Sequence, residues 1–143
     1  MKYRVLEGVT KADVAYKVYG RSLNELFTNA AVALTETMVD TSTVSPLKNF
    51  KFQISNFKLN ELLLDFLNEL VFLKDARRVL FSRFDVQTKK LDAKRYTLNA
   101  KLWGDTIDPV KQRLKTDVKA VTRHKFSLKK KERQFIATVV LDI

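Results

Sequence analysis

Two stretches of the chain repeat apolar positions at helical spacing, and much of the rest alternates apolar and polar residues. Leu23, Leu26, Phe27, Ala30, Ala31, Leu34 and Met38 fall on one helix face. Ser22 precedes them and Glu25 follows three positions later, a pairing that satisfies free amides at a helix start. A first helix is therefore predicted to about Val39. Leu59, Leu62, Leu63, Phe66, Leu67, Leu70 and Leu73 form a second stripe, with Glu61, Asp65, Asn68 and Glu69 on the remaining surface. The polar faces of both helices are acidic or neutral, which favours core packing over an anionic membrane surface.

Val14 to Tyr19 alternates as a strand does, and Gly20 ends it. Phe50, Phe52 and Ile54 predict a second strand. Val79 to Gln87, Leu91 to Trp103, Leu114 to Thr122, Phe126 to Lys130 and Gln134 to Leu141 predict five more. Lys129 to Arg133 reads as a hairpin turn, Asp40 to Pro46 as a loop, and Asp108-Pro109 as a loop or short helical turn. The order predicts one α+β domain over residues 1–143, a mixed or antiparallel sheet with two main helices packed on one face.

Composition narrows the chemistry. The 143 residues include no Cys, one His, 3 Gly and 2 Pro. Disulfides, Cys-ligated zinc, iron–sulfur clusters and thiol nucleophiles are excluded. The opening residues show no apolar leader, and no run of about 18 apolar residues predicts a membrane span. A cytoplasmic setting is expected. Charge is uneven: residues 1–70 carry 8 basic and 8 acidic side chains, residues 71–143 carry 19 and 8. An acidic or polyanionic partner is one explanation, a solvated basic surface the other.

No phosphate-binding glycine loop, nucleophile elbow or paired His ligands occur. His124, between Arg123 and Lys125, is either a general base or a surface residue. Asp13 precedes a predicted strand and Asp142 follows the last one. Brought to one sheet edge, with the terminal oxygen of Ile143, they would suit Ca²⁺, Mg²⁺ or Mn²⁺; otherwise they are solvated turn residues. Such a site alone would also permit a metal-dependent hydrolase. Many basic residues, with Tyr96 and Trp103 able to stack bases, leave open a basic RNA-binding or chaperone-like adaptor.

Several segments resemble the archease family. Leu6 to Leu34 (LEGVTKADVAYKVYGRSLNELFTNAAVAL) is similar to its opening motif. Leu62 to Leu73 is similar to its Asp-Trp-Leu-Asn-Glu-Leu helix, with Phe66 for Trp. Asp108 to His124 is similar to its Leu-Lys-Thr-Glu-Val-Lys-Ala-Val-Thr segment, and Val139 to Ile143 to its closing strand and Asp-Ile end. Where many members have His-Thr-Ala-Asp, this chain has Val9-Thr10-Lys11-Ala12-Asp13, without the His. The resemblance implies an α+β fold with a strand–helix–strand–strand module. It also implies an accessory protein, not a stand-alone enzyme, that activates the GTP-dependent tRNA-splicing RNA ligase. That activation promotes ligase guanylylation and multiple turnover. A divalent metal, calcium among the candidates, is implied on Asp13, Asp142 and an oxygen of Ile143. Lys115 and Lys119, flanking Thr116-Asp117, are expected on one strand face, either toward phosphates or ligase carboxylates or as solvated strand lysines; Asp65, sharing a helix face with Glu69, is a partner contact or a solvated surface residue.

Overall fold

The computed structural model describes residues 2–6 and 13–143. The elements are β1 (Tyr3–Leu6), β2 (Asp13–Gly20), α1 (Leu23–Met38), a 3-10 turn (Thr41–Thr43), β3 (Lys48–Asn56), α2 (Leu59–Arg77), β4 (Val79–Lys90), β5 (Tyr96–Thr106), β6 (Ala120–Lys131) and β7 (Gln134–Asp142). The α+β class and both helices match expectation. The strands divide into two sheets, of order β1-β2-β7-β6 and β3-β5-β4, and every pairing among described residues is antiparallel.

Each helix touches both sheets. α1 meets β2 and β7 of one and β4 of the other; α2 meets β6 of one and β3, β4 and β5 of the other. This explains why α1 buries nearly its whole circumference, with Ala30, Ala31 and Ala33 allowing close approach. Phe66 of α2 stacks on Phe27 of α1, centroids 6.2 Å apart, and lies 6.1 Å from Phe52 of β3. One continuous apolar cluster therefore joins the helices to both sheets.

The α1 start is capped as the sequence suggests: Ser22 Oγ accepts from the Glu25 amide at 3.1 Å. The Glu25 carboxylate reaches one residue further back than expected, accepting from the Arg21 amide at 3.2 Å. At its other end α1 presents carbonyls with no partner inside the helix. Lys115 and Thr116 donate their amides to the Met38 and Thr37 carbonyls at 2.8 and 3.1 Å. That diversion explains why the expected strand Leu114 to Thr122 does not form as such. Only Leu114 bridges to Val39, Lys115 to Lys119 run as a strap without a ladder, and β6 begins at Ala120.

Two other expectations shift. Leu91 to Arg95 belongs to the β4–β5 turn, closed by Leu91 N–H to Arg95 O at 2.9 Å and by Asp92 accepting from the Lys94 amide at 2.8 Å. The expected strand at Phe126 to Lys130 continues β6, interrupted by a wide bulge. Thr122 pairs with Val140 but Ser127 pairs with Thr138, and Lys125 takes φ 57° within the excess residues. β1 was not signalled by the sequence pattern; it is short and lies at the sheet edge.

Candidate functional site

β7 is an inner strand, flanked by β2 and β6. Its register sets Asp142 opposite Asp13 on one side and opposite Ala120 on the other. Directly opposed residues share a sheet face, with Cβ atoms about 5 Å apart. Val14, Tyr16 and Val18 pair with Leu141, Val139 and Ala137, and these face the core. By alternation, Asp13 and Asp142 sit on the opposite face, away from the helices, followed by Ala15 paired with Val140. Both residues are half-buried. A cation bound between opposed carboxylates would interact favourably with both.

Ile143 packs its side chain against the core, which leaves only backbone oxygens for a ligand role. Lys119 donates its amide to the Asp142 carbonyl at 2.8 Å, so the strap joins this corner directly. Three segments far apart in sequence thus converge: the start of β2, the end of β7 and the strap before β6. Two carboxylates and main-chain oxygens form a hard-oxygen set that fits Ca²⁺, Mg²⁺ or Mn²⁺ better than a softer metal. Among the described residues no cluster of three or more His, Cys, Asp or Glu side chains gathers, so these residues supply two carboxylates and backbone oxygens. Val9 to Ala12 of the opening motif lie outside the described residues.

Lys115 is exposed and reaches Glu36 of α1 at 3.5 Å. Since it lies on the strap, the expected strand face shared with Lys119 does not exist; both lysines are exposed on a segment held by other contacts. Asp65 lies on α2 and accepts from Asn56 Nδ2 at 2.9 Å. It is not part of the Asp13–Asp142 pair. Glu69, one turn on, is partly buried, and that burial pushes its carboxyl up from the usual range. His124 is exposed in the β6 bulge, its amide donating to Thr122 Oγ1 at 2.8 Å. Arg123 beside it pairs with Glu61, which raises the guanidinium further.

Two residues that organise this region escaped the sequence reading. Asn68 is half-buried rather than on the free surface: its Nδ2 donates to the Val121 carbonyl at 3.1 Å and its Oδ1 accepts from the Val121 amide at 2.9 Å. A side-chain amide thereby completes the edge of β6 beside the corner. Lys74 is only 6% exposed, and its ammonium meets Asp117, donates to the Val118 carbonyl at 2.7 Å and lies 3.0 Å from Asp75. It anchors the strap. Lys74 keeps phase with Leu63, Leu67 and Leu70, a signal of burial present in the sequence. The cleft that Lys74 lines with Leu80, Leu114 and Thr116 holds about 170 Å³. This is below the roughly 300 Å³ at which small-molecule pockets begin.

The fold and corner together define a class: a two-sheet α+β protein with an acidic pair at the end of an inner strand. The chain belongs to the archease family, since the model of the Archease protein family (MTH1598/TM1083) matches residues 3–143. Protein archease of Sulfurisphaera tokodaii is 41% identical over 132 residues, covering 92% of this chain and 93% of that one. Protein archease of Saccharolobus solfataricus is 37% identical over the same shares. The solution structure of Methanobacterium thermoautotrophicum protein 1598 superposes with a TM-score of 0.86 at 32% identity, covering 99% of each chain. A Thermotoga maritima crystal structure, described as an archease and possible chaperone, has a TM-score of 0.61 at 19% identity over 94% and 93% of the two chains, a likeness of fold.

Proposed function

We propose that this protein is an accessory activator of the GTP-dependent tRNA-splicing RNA ligase, with no independent catalytic activity. It promotes ligase guanylylation and multiple turnover through a divalent metal at the Asp13–Asp142 corner. The observation that supports this reading is the register that opposes Asp13 and Asp142 at the end of the sheet, on the face away from the helices, with Lys119 tied to the Asp142 carbonyl. Asp13, Asp142 and an oxygen of Ile143 would hold the metal. When bound, such an ion supplies positive charge beside nucleotide phosphates. Asp142 closes β7 and Ile143 follows it at the same corner. Lys119 and Lys115 lie on the adjoining strap as exposed cations for phosphates or ligase carboxylates, and Asp65 offers a separate partner contact on α2.

The test is RNA ligation by limiting tRNA-splicing ligase with GTP and Mn²⁺. Addition of the wild-type protein is expected to turn a single-turnover reaction into sustained turnover. Asp13→Ala is expected to abolish that gain while its circular dichroism spectrum and melting temperature stay near wild type. Full stimulation by Asp13→Ala would refute the metal reading, and no stimulation by wild type would refute the activator reading.

A further inference from the structure

The outer face of the β3-β5-β4 sheet has a different character from the acidic corner. Alternation sends Phe50, Phe52, Ile54, Leu98, Ala100 and Leu102 inward to the helices. It sends Lys51, Gln53, Asn99, Lys101 and Trp103 outward. Cross-strand register aligns these into rows: Asn49–Trp103–Arg83, then Lys51–Lys101–Asp85, then Gln53–Asn99–Gln87. Trp103 stands on the central strand with Arg83 4.7 Å and Lys101 5.1 Å from its ring. The indole is partly buried yet lies outside the core cluster, and a base stacking on it would share the ring with these two cations. Below it Lys51, Asp85, Gln87, Asn99 and Lys101 line a shallow depression of about 190 Å³.

We propose that this face binds single-stranded RNA, Trp103 stacking a base, Lys51, Arg83 and Lys101 meeting phosphates, and Asn99 and Gln53 meeting base edges. Three features support this occupant. The charge is complementary: register places Lys51, Arg83, Lys89 and Lys101 on this face against Asp85, with Asp105 as a further acid on β5. Aromatic and guanidinium planes are the surfaces on which unstacked bases lie, and side-chain amides carry both donors and acceptors for their edges. A broad sheet cannot enter the narrow major groove of an RNA duplex, whereas splayed single-stranded bases can lie across it. Tyr96 does not share this face; it packs toward the core beside Lys90. The site is separate from Asp13 and Asp142, which belong to the other sheet.

Trp103 is the single tryptophan, so its emission reports this face alone. An oligoadenylate of about ten nucleotides is titrated into the protein, and a labelled copy is followed by anisotropy. Saturable quenching is expected, with log affinity falling by about 0.7 per phosphate contact for each unit of log salt. Trp103→Ala is expected to weaken binding about tenfold by anisotropy, and Trp103→Phe, which keeps a stacking ring and tests folding, only two- to threefold. The pair Lys51→Glu and Lys101→Glu is expected to lose at least about tenfold. The pair Lys129→Glu and Lys131→Glu, an equal charge change at the β6–β7 turn, is expected to lose about twofold or less. Equal losses from the two pairs would mean net charge alone. Duplex RNA binding as tightly as the single strand, or quenching by the ligase but not by RNA, would equally overturn the proposal. The last result would assign the face to a protein partner.

Discussion

The two sheets are assembled from the chain in opposite ways. β3, β5 and β4 come from one contiguous stretch, residues 48–106, and β4 and β5 form a hairpin. The other sheet joins residues 3–20 to residues 120–142, and its central pairing is between β2 and β7. The contiguous sheet carries a basic and aromatic outer face; the discontinuous one carries the acidic pair. Chemistry that needs side chains from distant segments lies where the chain closes on itself, and an extended docking face lies where neighbouring strands repeat. Both helices pack against both sheets, a contact expected to couple the sheets on unfolding.

Phe66 is the sharpest probe of that coupling, because it bridges α1 and β3. Phe66→Ala is expected to cost about 3–5 kcal/mol and to lower the denaturation midpoint of both sheets together, followed by hydrogen exchange in β5 and β7. Separate transitions would show two independent units. Lys74→Met is next. It leaves the buried Val118 carbonyl without its donor and frees the exposed Asp117 to hydrate, at roughly 1–3 kcal/mol in urea denaturation. Amide exchange from Lys115 to Lys119 should quicken, and unchanged exchange there would show that Lys74 does not anchor the strap.

A smaller effect distinguishes function from folding at the corner. Asp142→Asn removes one of two opposed charges, so in chelator its stability is expected to equal wild type or to rise by about 0.2–1 kcal/mol. If the corner binds a cation, added Mn²⁺ or Ca²⁺ is expected to raise the wild-type melting temperature, and the variant is expected to lose that rise. A variant that keeps that rise would place the cation elsewhere. The smallest effect is acid sensitivity at Asp40, whose carboxyl is held below its usual range, first by the Ser42 hydroxyl and then by the Ser42 amide. This contribution is full above the unfolded carboxyl value and lost as pH falls through the lowered folded value. Asp40→Ala should flatten that limb of a urea-midpoint against pH curve. Glu69 has the opposite sign: its raised carboxyl favours the fold at low pH and loses that contribution as pH rises through the folded value.

Local pattern carried much of this architecture. The Leu stripe of α2, the Ser22 cap and the alternation in β5 each reflect a force acting within a few residues, and all were legible. The division into two sheets was not, because period-two alternation specifies which face is buried and not which strand lies beside it. The strap at Lys115 to Lys119 was misread because its amides serve the carbonyls of α1, a partner that spacing cannot reveal. Asp13 and Asp142 were legible as candidates from their strand-end positions and the family resemblance. Their opposition became visible only in the register, and Asn68 only through its bonds to Val121.

The position of β7 also bears on biogenesis. Every other element precedes it in the chain, yet β2 and β6 both need it as a neighbour. During translation the contiguous sheet can form as soon as β5 has emerged, while β2 waits for almost the full length of the polypeptide. The nascent chain therefore carries an unpaired β2 edge through most of synthesis. The Asp13–Asp142 corner is completed only when β7 pairs with β2, so a product that stalls before β7 would lack that opposition.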